Sequence, residues 1–266
     1  MKNTIKLFSE KLKKNLRLFG VDLIIFRNAI KGIHFYIGDY KKLKEQKGTD
    51  TTFPFGKKFP ILGDRFTESG TMKGHYFHQD LLVARKIYEK KPLKHIDIGS
   101  RTDGFVAHIA VFRQIEIMDI REQTSKTENI IFRRADLMQL PENMTDAFDS
   151  ISTLHAIEHF GLGRYGDPID YSGHLKAIIN ITTMLKRGGT LYFSVPIGTQ
   201  RIEFNAHRVF AVKYLLDIFK PDYTLVSFSY VDDNGDLFEN VTLSTSDINN
   251  NFGCNYGCGI FEIVKI

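Results

Sequence analysis

The eight residues Asp97-Ile98-Gly99-Ser100-Arg101-Thr102-Asp103-Gly104 decide the fold. They close the short apolar run 93–98 and lead into 104–112, which can open a helix. A strand ending in a glycine turn that passes into a helix is the first step of a β-α unit. Toward the C-terminus the alternation continues. Strands are predicted at 114–119, Ile130–Arg134, Phe148–Leu154 and 190–195, and helices at 175–185 and 207–219. The helix 175–185 is expected to stop at Lys186-Arg187-Gly188-Gly189, with cations in its last turn and glycine after it. Two late strands, Tyr223–Val231 and 259–264, have no obvious helix between them and predict an antiparallel edge. Parallel strands need crossovers, so the pattern implies a doubly wound, mostly parallel α/β sheet of seven strands.

Toward the N-terminus the texture differs. Ile5, Phe8, Leu12, Leu16, Phe19, Leu23, Phe26 and Ile30 recur in steps of three and four and predict a helix over 4–31, bent or broken at Gly20. Residues 41–74, rich in Lys, Gly, Pro and Thr, read as an irregular connector. His75-Tyr76-Phe77-His78-Gln79-Asp80 then leads into a helix at 80–90. The expected division is a basic helical extension and connector at 1–74 and an α/β domain at 75–266.

The 266 residues carry 36 Lys+Arg against 31 Asp+Glu, and 12 of those cations with 5 of the acids lie in residues 1–50. The basic balance therefore belongs to the extension, and the body is slightly acidic. A nucleic-acid enzyme would line its main cleft with positive charge, so no nucleic-acid partner is expected. Two cysteines, Cys254 and Cys258, exclude a disulfide framework and read as reduced thiols. No apolar run reaches the roughly 18 residues that span a bilayer, and charges interrupt the first thirty residues as no signal peptide allows. The expected location is the cytoplasm. The basic amphipathic helix within residues 1–40 packs on its own core, dimerises, or lies on an anionic membrane at the inner face.

In a doubly wound sheet the ligand lies beyond the carboxyl ends of the strands. Gly99 lets backbone approach a ligand closely. Asp119, which ends the second strand, suits a ribose diol. Asp136-Leu137 follows the third strand and can accept from an adenine amino group. His155-Ala156-Ile157-Glu158-His159 follows the fourth. Glycine turn, ribose acid and adenine acid, in that order, describe a nucleoside-bearing cofactor. Gly99-x-Arg101-x-x-Gly104 keeps the outer spacing of the dinucleotide fingerprint but puts Arg101 where a glycine should let pyrophosphate touch the backbone. That departure disfavours NAD more than a methionyl group, whose carboxylate can pair with a guanidinium.

Residues 93–200 resemble the class I S-adenosylmethionine (SAM)-dependent methyltransferase superfamily. The first-strand turn is similar to its D-x-G-x-G-x-G motif, with Arg101 and Asp103 in place of two glycines, and 185–190 resembles its "GG" turn before the fifth strand. The whole chain resembles an uncharacterised domain family of bacteria and nematodes, whose bacterial members suggest surface-polysaccharide biosynthesis. The resemblance implies a Rossmann-like methyltransferase fold and SAM as cofactor. Asp97, Gly99, Ser100 and Arg101 would hold the methionyl part, Asp119 with Ile120 the ribose, and Asp136 with Leu137 the adenine. Methyl transfer to the hydroxyl of a sugar or glycan intermediate follows as the expected activity. A degenerate scaffold in glycan assembly, or a nicotinamide-dependent sugar oxidoreductase, is the alternative, and a homo-oligomer stays open.

Transfer to oxygen needs a base, and His near neutrality suits it. The candidates are His155, His159 and His207, the last read as opening the helix 207–219. His75 and His78 precede the core and can form a lid. His155-x-x-Glu158-His159 also matches an inverted zinc-protease pattern, but that chemistry needs a helix and a downstream ligand. Here the motif ends a strand and meets Gly161 and Gly163, so no metal is expected. Arg164, Tyr165 and Asp167, with Arg201, Glu203 and Asn205, are acceptor-side candidates or ordinary loop residues.

Overall fold

The computed structural model describes residues 15–266, so residues 4–14 of the expected N-terminal helix lie outside the described residues. The chain divides into two units, Met1–Thr71 and Met72–Ile266.

In the first unit the chain turns at Gly20 and restarts as helix α1, Leu23–Lys47. Asp22 caps it, its carboxylate accepting from the amides of Ile24 (2.7 Å) and Ile25 (3.2 Å). The helix runs well past residue 31, because 32–47 contains no proline and its second half, 41–47, is made of the helix formers Lys, Leu, Glu and Gln. The expected connector therefore starts as helix and becomes irregular only after Gly48. It folds back on α1 at Gly32, where any Cβ would collide with the Leu62 carbonyl. Arg65 fixes the contact, pairing with Asp39 at 2.6 Å and lying over the Phe35 ring.

The second unit opens with α2, His75–Lys90. The HYFHQD stretch is thus the first turn of this helix rather than a lead-in. Then come β1 His95–Ile98, a π-type turn Thr102–Val106 running into α3 Ala107–Ala110, β2 Ile115–Asp119, β3 Ile130–Arg134 and β4 Phe148–Leu154. Next are α4 Gly173–Met184, β5 Leu185–Ile197, β6 Arg201–Glu203, β7 His207–Val209, α5 Val212–Phe219 and β8 Tyr223–Val231. The chain finishes with β9 Leu237–Phe238, α6 Thr245–Asn249 and β10 Gly257–Lys265.

The main sheet has the order β3-β2-β1-β4-β5-β10-β8-β9. Strands β1 to β5 pair in parallel, while β10 runs antiparallel between β5 and β8, and the two-residue β9 adds an eighth strand at the edge. The expected doubly wound, mostly parallel α/β sheet is what forms. One face packs on α4 and α5 through Ala177, Ile181, Val212, Leu215 and Phe219. The other packs on α2 and the turn into α3 through Val83, Ile87, Phe105 and Ile109. Burial on both faces makes β1 fully buried, and each large core side chain contributes about 1.5–3 kcal/mol.

Two expected elements differ. The helix 175–185 ends at Met184, and the Lys186-Arg187-Gly188-Gly189 turn belongs to β5, where Lys186 pairs with Asp149 at 2.7 Å. The helix expected over 207–219 splits: 207–209 is strand β7, paired with β6, and the helix starts at Val212. The cause is Arg208. Its buried guanidinium donates to the carbonyls of Phe160 (2.6 Å) and Tyr171 (3.0 Å), holding the segment extended. His207 therefore does not open a helix.

Chain order reverses between β2 and β4, the two neighbours of β1. A crevice forms at such a switch point, beyond the carboxyl ends of the strands.

Candidate functional site

The crevice holds a cavity of about 300 Å³. Its floor is apolar, made by Ile98, Met118, Ala135 and Leu137. Gly99 turns the chain beneath it with φ +70°, a conformation that favours glycine, and a Cβ there would meet the Ala156 Cβ at 2.9 Å. A second lobe of about 330 Å³ shares Gly99, Arg101, Met118, Asp119 and Arg121 with the first and adds Asp97 and Ser100.

Asp97 is buried under the turn. Its carboxylate accepts from the Ser100 amide (3.0 Å), the Ser100 hydroxyl (2.6 Å) and the Ser152 hydroxyl (2.6 Å). Burial pushes its pKa up to about 6 against these donors. Asp97 thus shapes the turn that a ligand would touch. Ser100 works the same way, accepting from the Leu154 amide at 3.0 Å and tying β1 to β4.

Asp119 and Asp136 both line the first lobe, with Ile120 and Leu137 beside them. Asp136 spends one oxygen on the Met138 amide, at 2.9 Å. Asp119 is more heavily engaged: Arg121 grips it in a fork, Nε to Oδ1 at 3.0 Å and Nη2 to Oδ2 at 2.6 Å. Arg121 also lies 4.3 Å from the centre of the Tyr165 ring. Arg101 lines both lobes, but its guanidinium is turned to Asp103 in a similar fork and sits over Tyr76. It is half exposed and does not plug the cavity.

Of the three candidate bases, His155 and His159 line the first lobe and His207 does not. His159 donates from Nδ1 to the Ala206 carbonyl at 2.6 Å, which leaves the lone pair of the neutral ring on Nε2. Burial lowers its pKa, so that ring is neutral at pH 7, and the Glu158 carboxylate stands 3.7 Å from Nε2. His155 is buried, at positive φ, with Nδ1 against Glu158 Oε1 at 2.7 Å. Burial disfavours its charged form, but Cys258 and Glu158 outweigh that and lift its pKa to about 10. His207 packs against Tyr256 and lies 3.5 Å from Glu203. His75 stacks on His155 with ring centres 5.1 Å apart.

The loop after β4 is built by Asp167, which accepts from the amides of Gly161, Gly163 and Tyr165. Arg164 donates to the Ala206 carbonyl at 3.0 Å and, with Tyr165, reaches the cavity. Arg201 pairs with Glu203 at 2.9 Å, and neither they nor Asn205 line the first lobe.

Sequence reasoning missed Tyr76 and Arg121 on the cavity wall. Arg121 had a signal, a cation two residues after the ribose acid. Tyr76 had none, because only the fold brings α2 to the end of β4. The grouping of His75, His155 and Cys258, whose ligand atoms lie within 4.8 Å of one another, was equally invisible in the linear order.

Among known structures, the N-methyltransferase NodS from Bradyrhizobium japonicum WM9, in complex with S-adenosyl-L-homocysteine (SAH), is 14% identical. The match covers 85% of this chain and 97% of that one, with a TM-score of 0.48. The [4+2]-cyclase SpnF is 14% identical over 70% of this chain and 81% of its own, with a TM-score of 0.47. The YcgJ protein from Bacillus subtilis is 13% identical over 71% and 96%, with a TM-score of 0.45. No curated protein sequence matches. Residues 102–251, more than half of the chain and including most of the cavity wall, match the family described as "Caenorhabditis protein of unknown function, DUF268", and the chain belongs to that family.

Proposed function

We propose that the protein is a SAM-dependent methyltransferase that methylates a hydroxyl of a sugar or glycan intermediate. The observation that carries this reading is convergence. Gly99, Asp119, Asp136-Leu137 and His159 come from the ends of four successive strand segments, and all face one cavity with an apolar floor. Such a cavity suits an adenosyl group: apolar faces for the base, carboxylates for ribose and adenine amino hydrogens. The free oxygen of Asp136 and the space kept by Gly99 fit that group.

When bound, the cofactor supplies an electrophilic methyl on a sulfonium. The chain's residues do the rest. Asp119 would share its oxygens between the ribose diol and Arg121. His159 would take the acceptor proton at Nε2 as the new C–O bond forms, with its Nδ1–H anchored on Ala206 and Glu158 stabilising the imidazolium. Arg101 over Tyr76, and Arg121 and Arg164 on Tyr165, frame the mouth with stacked cation–aromatic pairs that suit the polar edges and flat faces of a sugar. Positioning supplies most of the rate in such a displacement.

One observation favours the non-catalytic scaffold instead: both oxygens of Asp119 are already held by Arg121. Titration calorimetry with SAM, SAH and NAD separates the readings. Binding of SAM and SAH is the expected result. Binding of NAD alone supports an oxidoreductase, and binding of none supports the scaffold.

A further inference from the structure

We propose that His75, His155 and Cys258 form a binding site for a divalent transition ion of the zinc type. This departs from the sequence-based expectation of no metal. The site is independent of the adenosyl reading, since it is read without any cofactor.

The three residues come from three elements: the first residue of α2, the residue after β4, and the second residue of β10. Their ligand atoms lie within 4.8 Å of one another. Tetrahedral bonds of about 2.0–2.3 Å to nitrogen and sulfur need these atoms somewhat closer, a movement within side-chain reach. Cys258 is fully buried and His155 is 7% exposed. Two imidazoles and a thiolate are a donor set for a borderline-soft ion, not for calcium or magnesium.

The independent observation is His155 itself. Its side chain is 3% exposed, and Nδ1–H donates to the Glu158 carboxylate at 2.7 Å. Nε2 is then left buried with no partner but the Cys258 thiol, the proton between them being what an ion would replace. An aligned carboxylate on the far nitrogen is what orients a metal-ligating imidazole and raises its basicity. His75 is held by ring contacts, stacked on His155 and packed against Tyr256. Apart from His155, Cys258 Sγ has only long contacts, to Gln79 Oε1 at 3.6 Å and the Gly259 carbonyl at 3.9 Å. Three donor atoms thus cluster within 4.8 Å, and a rotation of the stacked imidazoles would bring them onto one ion. The H-x-x-E-H pattern in the sequence takes on another meaning. His155 is a ligand, Glu158 supports it from behind, and the missing ligands come from distant chain segments rather than from a helix.

A metal here would pin α2, β4 and β10 together beside the cavity, since His155 belongs to both. Zinc should therefore raise the melting temperature of the full-length chain. The experiment uses the full-length protein, stripped with chelator and titrated with cobalt(II), then with zinc in competition with a chromogenic chelator. One equivalent of cobalt should give a thiolate-to-cobalt charge-transfer band, and one equivalent of zinc should abolish it. Cys258→Ser should lose the band and weaken zinc at least tenfold, while Cys254→Ser keeps both. A wild type without the band, or a band lost in Cys254→Ser and kept in Cys258→Ser, overturns the assignment. Because the wild-type band decides first, a variant that fails to fold does not shelter the proposal.

Discussion

The tautomer of His159 is set by a backbone carbonyl, and that single hydrogen bond separates it from its neighbours in the H-x-x-E-H segment. His159→Gln should lower methyl transfer about 10²–10⁴-fold while leaving SAH affinity within about twofold. Transfer of labelled methyl from SAM to a panel of nucleotide sugars, with calorimetry alongside, checks both halves. Burial lowers the His159 pKa from 6.5, so the base stays neutral down to below that pH. The acidic limb of the rate should therefore lie under pH 6.5, and ring NMR titration should place His159 there. Asp119→Asn should weaken SAH about 10–100-fold, because the amide offers one acceptor oxygen where the carboxylate offers two charged ones. Arg121→Ala frees the same carboxylate and should tighten SAH severalfold in the same calorimetry. Asp119, Asp136 and His159 were legible because each lies at or within five residues of the carboxyl end of an apolar strand. Cys258 was not. The sequence showed it only as a reduced thiol, whereas the sheet turns it toward His155.

The elements are joined behind the cavity by a buried ion cluster. Glu262 on β10 receives Lys86 at 2.7 Å and Lys90 at 2.5 Å from α2, and the Ser227 hydroxyl from β8 at 2.9 Å. Glu262 and Lys86 are largely shielded, while Lys90 is 44% exposed. Glu262→Gln should cost about 3 kcal/mol by leaving Lys86 buried without its counter-charge. Lys90→Ala should cost under about 1 kcal/mol. Urea unfolding of the two variants checks the contrast. Strands β3 and β4 were read to the residue because their apolar runs are bounded by polar turns. The misread helix over 207–219 shows the limit: short apolar steps suit either element, and only the carbonyls that hold Arg208 decide.

Across the molecule, two buried carboxylates on different strands, Asp97 of β1 and Glu262 of β10, titrate in opposite senses. Asp97 is raised from 3.8 to about 6 by burial. Its contribution is present below its unfolded pKa and is lost as pH rises through about 6, an effect of about 3 kcal/mol. Glu262 is lowered, because Lys86, Lys90 and Ser227 outweigh burial. Its contribution is present above pH 4.5 and is lost as pH falls through its folded value. Stability should therefore peak between the two, and Asp97→Asn should flatten the decline between about pH 4 and 6. Melting temperatures measured across pH 4 to 8 test this. The doubly wound sheet was legible from β-α alternation alone. The insertion of β10 between β5 and β8 depends on a pairing between segments far apart in the chain. The central claim is that the strand ends enclose an adenosyl site. A crystal soaked with SAH tests it most directly. The account predicts density with ribose hydroxyls on Asp119, the adenine amino group at Asp136 and the sulfur toward His159. Density bound elsewhere, or Arg121 still closed on Asp119 with SAH excluded at saturating concentration, would contradict it.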